Sequence, residues 1–188
     1  PTATFTPSLT PTETLTPTST YTPTATFTPI ATDAVPGSIG TTPDGGIYNL
    51  GDGGQLTFDM TIVLDGSSDW DLVLYEMANP PGIHMDWIVI SISQDGHSWY
   101  TIFYWGNGAA DTNSNLDISG SLGGAETDNR QIDASYLYPT GVYPDAGVAI
   151  NADAFAPAGE YYYLRLYAPG GAGSGNDGAD IDAIQILP

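Results

Sequence analysis

A chain of 188 residues that sets 22 acidic side chains against two arginines, with no lysine and no cysteine, carries a formal charge of −20. That balance excludes nucleic acid and anionic membrane surfaces as partners and favours cations. Without disulfides, stability must come from packing, metal, glycans or assembly. No apolar run approaches the roughly 18–20 residues of a membrane helix, so no membrane insertion is expected, and a start at Pro1 without an apolar leader reads as a processed product.

Residues 1–32 form a tail in which every even position from Thr2 to Thr32 is threonine, except Ser8 and Ile30. A period of two is the side-chain period of a strand, which would carry a threonine ladder on one face and an apolar stripe on the other. Every tail proline is odd-numbered, so the missing N–H donors would fall on one edge and leave the other intact for pairing. A six-residue repeat sets a large side chain two before a proline at Leu9, Leu15, Tyr21 and Phe27, and Phe5 precedes Pro7 in the same way. Six also suits a threefold polyproline II helix, but the strict threonine alternation would then scatter around the helix, which puts the strand ahead. Thr/Pro-rich segments are characteristic of O-glycosylated stalks of exported proteins. The expected acceptors are Thr10, Thr12, Thr14, Thr16, Thr18, Thr20, Thr22, Thr24, Thr26 and Thr28. The protein is accordingly expected outside the cell, at the cell surface.

Residues 33–46 lose the alternation and collect Pro36, Gly37, Gly40, Pro43, Gly45 and Gly46, the signature of a linker. Residues 47–188 read as one domain. Leu56, Phe58, Met60 and Ile62 alternate with polar residues, and further strand patterns span 71–77, 85–93, 99–105, 148–151, 161–167 and 180–187. Asp95-Gly96 signals a tight hairpin between the third and fourth of these, and the polar stretch 106–129 reads as a long excursion. The expected fold class is all-β, an antiparallel β-sandwich of the jelly-roll kind preceded by the extended Thr/Pro-rich strand.

Val89-Ile-Ser-Ile-Ser-Gln-Asp95-Gly-His-Ser-Trp99, then Tyr163-Leu-Arg165-Leu, then Gly178-Ala-Asp-Ile-Asp182-Ala-Ile resembles, in this order, bacterial cell-surface domains of the discoidin, or galactose-binding-like, type. The resemblance covers roughly Gly51 to Leu187. It implies an eight-stranded sandwich, often calcium-stabilised, whose loops bind sugars in some members and join assemblies in others. The near absence of basic residues departs from members that bind acidic glycans or phospholipids.

Two loops concentrate hard oxygen donors of the kind Ca²⁺ takes: Asp65, Asp69 and Asp71 in one, Asp177 and Asp180 in the other. Asp and Gly also cluster in turns for conformational reasons alone. Asp182, alternating with Ile181 and Ala183, needs a partner if it points inward, and Arg165 is one candidate. Trp87, Trp99, Tyr100, Phe103, Tyr104, Trp105, Tyr161, Tyr162, Tyr163 and Tyr167 make one half of the domain aromatic, and alternation must direct some of them outward. A covering partner is favoured over a sugar site. No spaced nucleophile, base and orienter appears: His97 merely adjoins Ser98 and Asp95, His84 reads as a strand-end residue, and no enzymatic activity is expected.

Extended, the tail reaches about 100 Å, whereas a domain of this size is about 40 Å across. The tail therefore outreaches its own domain. The leading expectation is a structural subunit of an extracellular, pilus-like filament, a homopolymer in which Phe5, Leu9, Leu15, Tyr21 and Phe27 anchor each tail on a neighbour by strand addition. The alternative is a carbohydrate-binding module on a glycosylated stalk.

Overall fold

The computed structural model describes residues 1, 2, 36, 37, 39–109, 111–116, 122–170 and 178–188. The five expected anchors, the ten candidate threonines and Asp177 lie outside them. The strands are β1 (Tyr48–Asn49), β2 (Gln55–Leu64), β3 (Leu72–Glu76), β4 (Ala78–Asn79), β5 (Gly82–Met85), β6 (Ile88–Ser93), β7 (Tyr100–Trp105), β8 (Arg130–Asp133), β9 (Val148–Ile150), β10 (Gly159–Tyr167) and β11 (Asp180–Ile186).

The protein is an all-β antiparallel sandwich. One sheet runs β1-β11-β3-β9, the other β2-β10-β6-β7, and a small third sheet, β4-β5-β8, stands beside them. Numbering only the eight strands of the two large sheets in chain order gives first-eighth-third-sixth over second-seventh-fourth-fifth, which is the jelly-roll order of two interlocked Greek keys.

Local sequence explains most of this. Along β2, Leu56, Phe58, Ile62 and Leu64 turn into the core, where β10 adds Tyr161, Leu164 and Leu166 and β6 adds Ile88, Ile90 and Ile92. In β3, Leu72 to Tyr75 are all buried. The strand lies between β11 and β9, and its second face is covered as well: Val73 and Tyr75 pack with Ala149 and Ala183 beneath Trp70, Tyr138 and Leu187. A strand covered on both faces reads as a continuous apolar run rather than an alternating one.

Three expectations are corrected. The run 85–93 is two strands, because side chains intercept its backbone: Asp86 N donates to Glu76 Oε2 at 3.0 Å and Trp87 N to Asp128 Oδ1 at 3.2 Å, removing two donors from a ladder. The hairpin between β6 and β7 is a longer loop, residues 94–99, organised by the Asp95 carboxylate, which accepts from Ser98 N at 2.7 Å and His97 N at 2.8 Å. Those two amides hold Asp95 at about 2, below the usual carboxyl range, and Gly96 supplies the positive φ of 73°.

The third correction concerns Asp182. It is buried in β11, yet its partner is not Arg165: Asp182 Oδ1 accepts from Asp44 N at 3.1 Å and Gly45 N at 3.2 Å, and Oδ2 from Gly45 N at 3.1 Å. Backbone amides in the segment before β1 thus satisfy a carboxylate more than a hundred residues away. The same segment buries Ile39 and bridges Gly40 in parallel to Ala183, with Gly40 N donating to Asp182 O and Ile184 N to Gly40 O.

Asp182→Ala leaves these amides without their acceptor and is expected to cost about 1–3 kcal/mol. Urea unfolding should show a lower midpoint at unchanged slope, with Asp182→Asn, which keeps one acceptor oxygen, falling between variant and wild type.

Candidate functional site

The second large sheet presents an edge and a face. Its first strand, β2, pairs only with β10 among the described residues, so a ten-residue strand stands at the sheet edge. At about 3.3 Å per residue that edge is about 33 Å long. Edge strands are usually blunted by charge, proline or a bulge; β2 has no proline and no positive charge, its one charge is Asp59, and its register shifts once, between Asp59 and Ile62. Val63 directs an apolar side chain outward at 61 % exposure. The neighbouring edge of the other sheet, β1, has two residues.

The outer face of this sheet follows from register. Arg165 stands opposite Thr57 and Ser91, Tyr163 opposite Asp59 and Ser93, and Tyr167 opposite Gln55 and Val89, while the alternate residues Leu164 and Leu166 face the core. Gln55, Val89, Ser91, Thr101, Arg165 and Tyr167 line a shallow cavity of about 220 Å³. The guanidinium carbon of Arg165 lies 4.3 Å from the centre of the Trp99 ring, a cation–π contact. Partial burial pulls the Arg165 pKa below its ordinary value. One face of Trp99 is therefore already covered by the protein's own cation.

The aromatic half divides between faces. Trp105 and Tyr161 are fully buried, and Tyr161 donates its hydroxyl to Pro157 O at 2.8 Å. Tyr100 meets Tyr161 edge-on with ring centres 5.9 Å apart, and Tyr100, Tyr162 and Tyr167 are exposed.

Of the expected cation ligands, Asp65, Asp69 and Asp71 line one cavity of about 250 Å³ with Trp70, and the carboxylates of Asp65 and Asp71 are engaged by backbone amides. Asp65 Oδ1 accepts from Ser67 N at 2.8 Å, Asp69 N donates to Ser67 Oγ at 3.2 Å, and Asp71 Oδ2 accepts from Ala152 N at 2.6 Å. Asp180 is on β11 and takes the Asn49 carboxamide at 2.7 Å. Among the described residues no three Asp, Glu or His side chains are arranged to hold a metal ion. His97 Nδ1 lies 2.8 Å from Asp95 O within its own loop, and His84 sits in β5 against the Asn79 carboxamide.

Sequence reasoning missed Glu76. It is 2 % exposed at the end of β3, where Oε2 accepts from Asp86 N and Oε1 has no partner. Burial, reinforced by the charges of Asp86, Asp180 and Asp128, pushes its pKa well up; the Asp86 amide opposes this only in part. The signal was a glutamate closing an apolar strand, which spacing alone does not distinguish from a surface residue. Comparison with known proteins adds nothing here: the chain matches no family model, no curated protein and no solved structure.

The elevated pKa of Glu76 has a definite sign. As pH rises past the ordinary carboxyl range the unfolded chain releases this proton while the folded one keeps it, so folding stability falls with rising pH until the folded group ionises. The melting temperature is expected to be lower at pH 8 than at pH 5. Glu76→Gln should flatten that dependence; a variant as steep as wild type would show that Glu76 is not its source.

Proposed function

We propose that the protein is a structural subunit of an extracellular homopolymer, in which the Thr/Pro-rich tail of one copy adds to the β2 edge of the next. The observation that carries this reading is the ten-residue β2 edge, which pairs on one side only among the described residues and exposes Val63. The chain supplies a matching element: a tail with strand periodicity whose prolines all fall on one edge.

Energetics say what such a joint requires. Ten added residues form about ten ladder hydrogen bonds at roughly 0.5–1.5 kcal/mol net each. Ordering ten residues costs roughly 1–2 kcal/mol apiece, so the ladder alone does not hold the tail. Buried side chains contribute roughly 1.5–3 kcal/mol each, and the two of Phe5, Leu9, Leu15, Tyr21 and Phe27 that a ten-residue stretch can hold offset about the mid-range shortfall. Such a contact is head-to-tail, joining tail to edge, and continues into a filament unless its rotation closes a ring. The threonine face stays outward, available for glycosylation. The rival reading as a sugar-binding module gains little from Trp99, one face of which already carries Arg165.

Removing residues 1–32 should abolish assembly and leave a monomer by light scattering and electron microscopy. Val63→Lys, which changes an exposed side chain and places a charge at the edge, should weaken assembly of the full chain at least tenfold without lowering its melting temperature. Assembly unaffected by either change, together with saturable glycan binding by the monomer, would favour the carbohydrate module instead.

A further inference from the structure

Beyond β7 the chain turns at residues 106–109, and residues 122–130 pack against this turn. Trp87 donates Nε1 to Glu126 O at 3.1 Å and Trp105 to Thr127 O at 3.2 Å, fixing the second segment on the sandwich. Gly106, at φ 110°, lies so close to Trp87 that a Cβ there would sit 2.5 Å from the indole ring, so the close approach depends on glycine. Glu126 is 5 % exposed. Its Oε2 accepts from Gly106 N at 2.9 Å and Gly108 N at 3.0 Å, which orients the carboxylate. The other oxygen, Oε1, is buried without a donor, as is Asp111 Oδ2. The two carboxyl groups lie within hydrogen-bonding reach of each other.

Asp111 also accepts from the Tyr104 amide, yet each carboxyl group keeps one buried oxygen without a donor, and two such groups in reach of each other require a proton or a cation between them. No arginine supplies it: the Arg130 guanidinium is spent on the carbonyls of Ala125, Leu122 and Gly123, and Arg165 on Trp99. We propose that Asp111 and Glu126 form a divalent-cation site suited to Ca²⁺, which clamps the turn after β7 to the segment before β8. The donors are all hard oxygens, and Ca²⁺ tolerates their irregular placement better than Mg²⁺, which demands an octahedron. Asp111, though not Glu126, also lines an open cavity of about 260 Å³ with Thr101, Asn107, Asn113 and the apolar Ile102 and Phe155, through which water reaches the Asp111 side of the pair. The competing occupant is a single shared proton: burial, the Glu126 charge and a hydrogen bond to Glu126 hold Asp111 up at about 8 when no cation is present.

Calorimetric titration of chelator-treated full-length protein with CaCl₂ separates the two. The expected result is one saturable site with Kd in the range of roughly 10⁻⁵–10⁻³ M, and a melting temperature that rises with Ca²⁺. Asp111→Asn with Glu126→Gln should weaken binding at least tenfold and remove the thermal shift. Asp65→Asn with Asp69→Asn, which alters net charge by the same two units, should preserve both. Equal Ca²⁺ binding by wild type and the Asp111/Glu126 variant, or loss in the Asp65/Asp69 variant instead, overturns the assignment. No saturable binding at all means that the pair is bridged by a proton. None of these outcomes depends on whether the tail assembles.

Discussion

The structure is organised around a shortage of positive charge. With 22 acidic side chains and two arginines, the domain cannot neutralise its buried carboxylates by ion pairing. It draws on backbone amides instead. Asp182 takes those of Asp44 and Gly45, Asp71 those of Ala152 and Asp153, Glu126 those of Gly106 and Gly108, and Asp95 those of its own loop. The first three of these tie together segments distant in sequence, a task that disulfides perform in many small domains. Where amides run out, buried oxygens are left without donors, at Glu76, Asp111, Glu126 and Asp153 among the described residues.

The same shortage shapes the surface. Arg165, on the outer face of the second sheet, lies against Trp99 and not against a carboxylate, although acidic residues greatly outnumber it. A guanidinium is less strongly hydrated than an ammonium and stacks on aromatic rings, so this arrangement costs little desolvation. The sandwich thereby keeps a face of tyrosine, serine and threonine beside an edge whose one charge is Asp59.

Much of the fold was legible because sheet burial imposes simple periodicities. The alternation in β2 and the apolar run in β3 each follow from which faces are covered, and the Asp-Gly pair marked the right turn. What escaped were features whose cause lies elsewhere in the chain. The break between β5 and β6 depends on Glu76 and Asp128 taking the amides of Asp86 and Trp87. β8, with Ile132 as its only buried residue, forms because β5 pairs with it.

The candidate sites divide in the same way. Composition alone established the acidic excess and that no lysine guards the sheet edges, because charge and residue type do not depend on folding. The alternation of the tail likewise belongs to the sequence. Only the tertiary structure decided which carboxylates are short of donors. Asp65 and Asp71 sit in loops that look like cation ligands and are met by backbone amides, local for Asp65 and from residues 152 and 153 for Asp71, whereas Asp111 and Glu126, fifteen residues apart in a featureless polar stretch, are brought within reach of each other as the second segment packs on Trp87 and Trp105. Burial and the direction of a backbone N–H are properties of the folded chain, and no spacing rule encodes them.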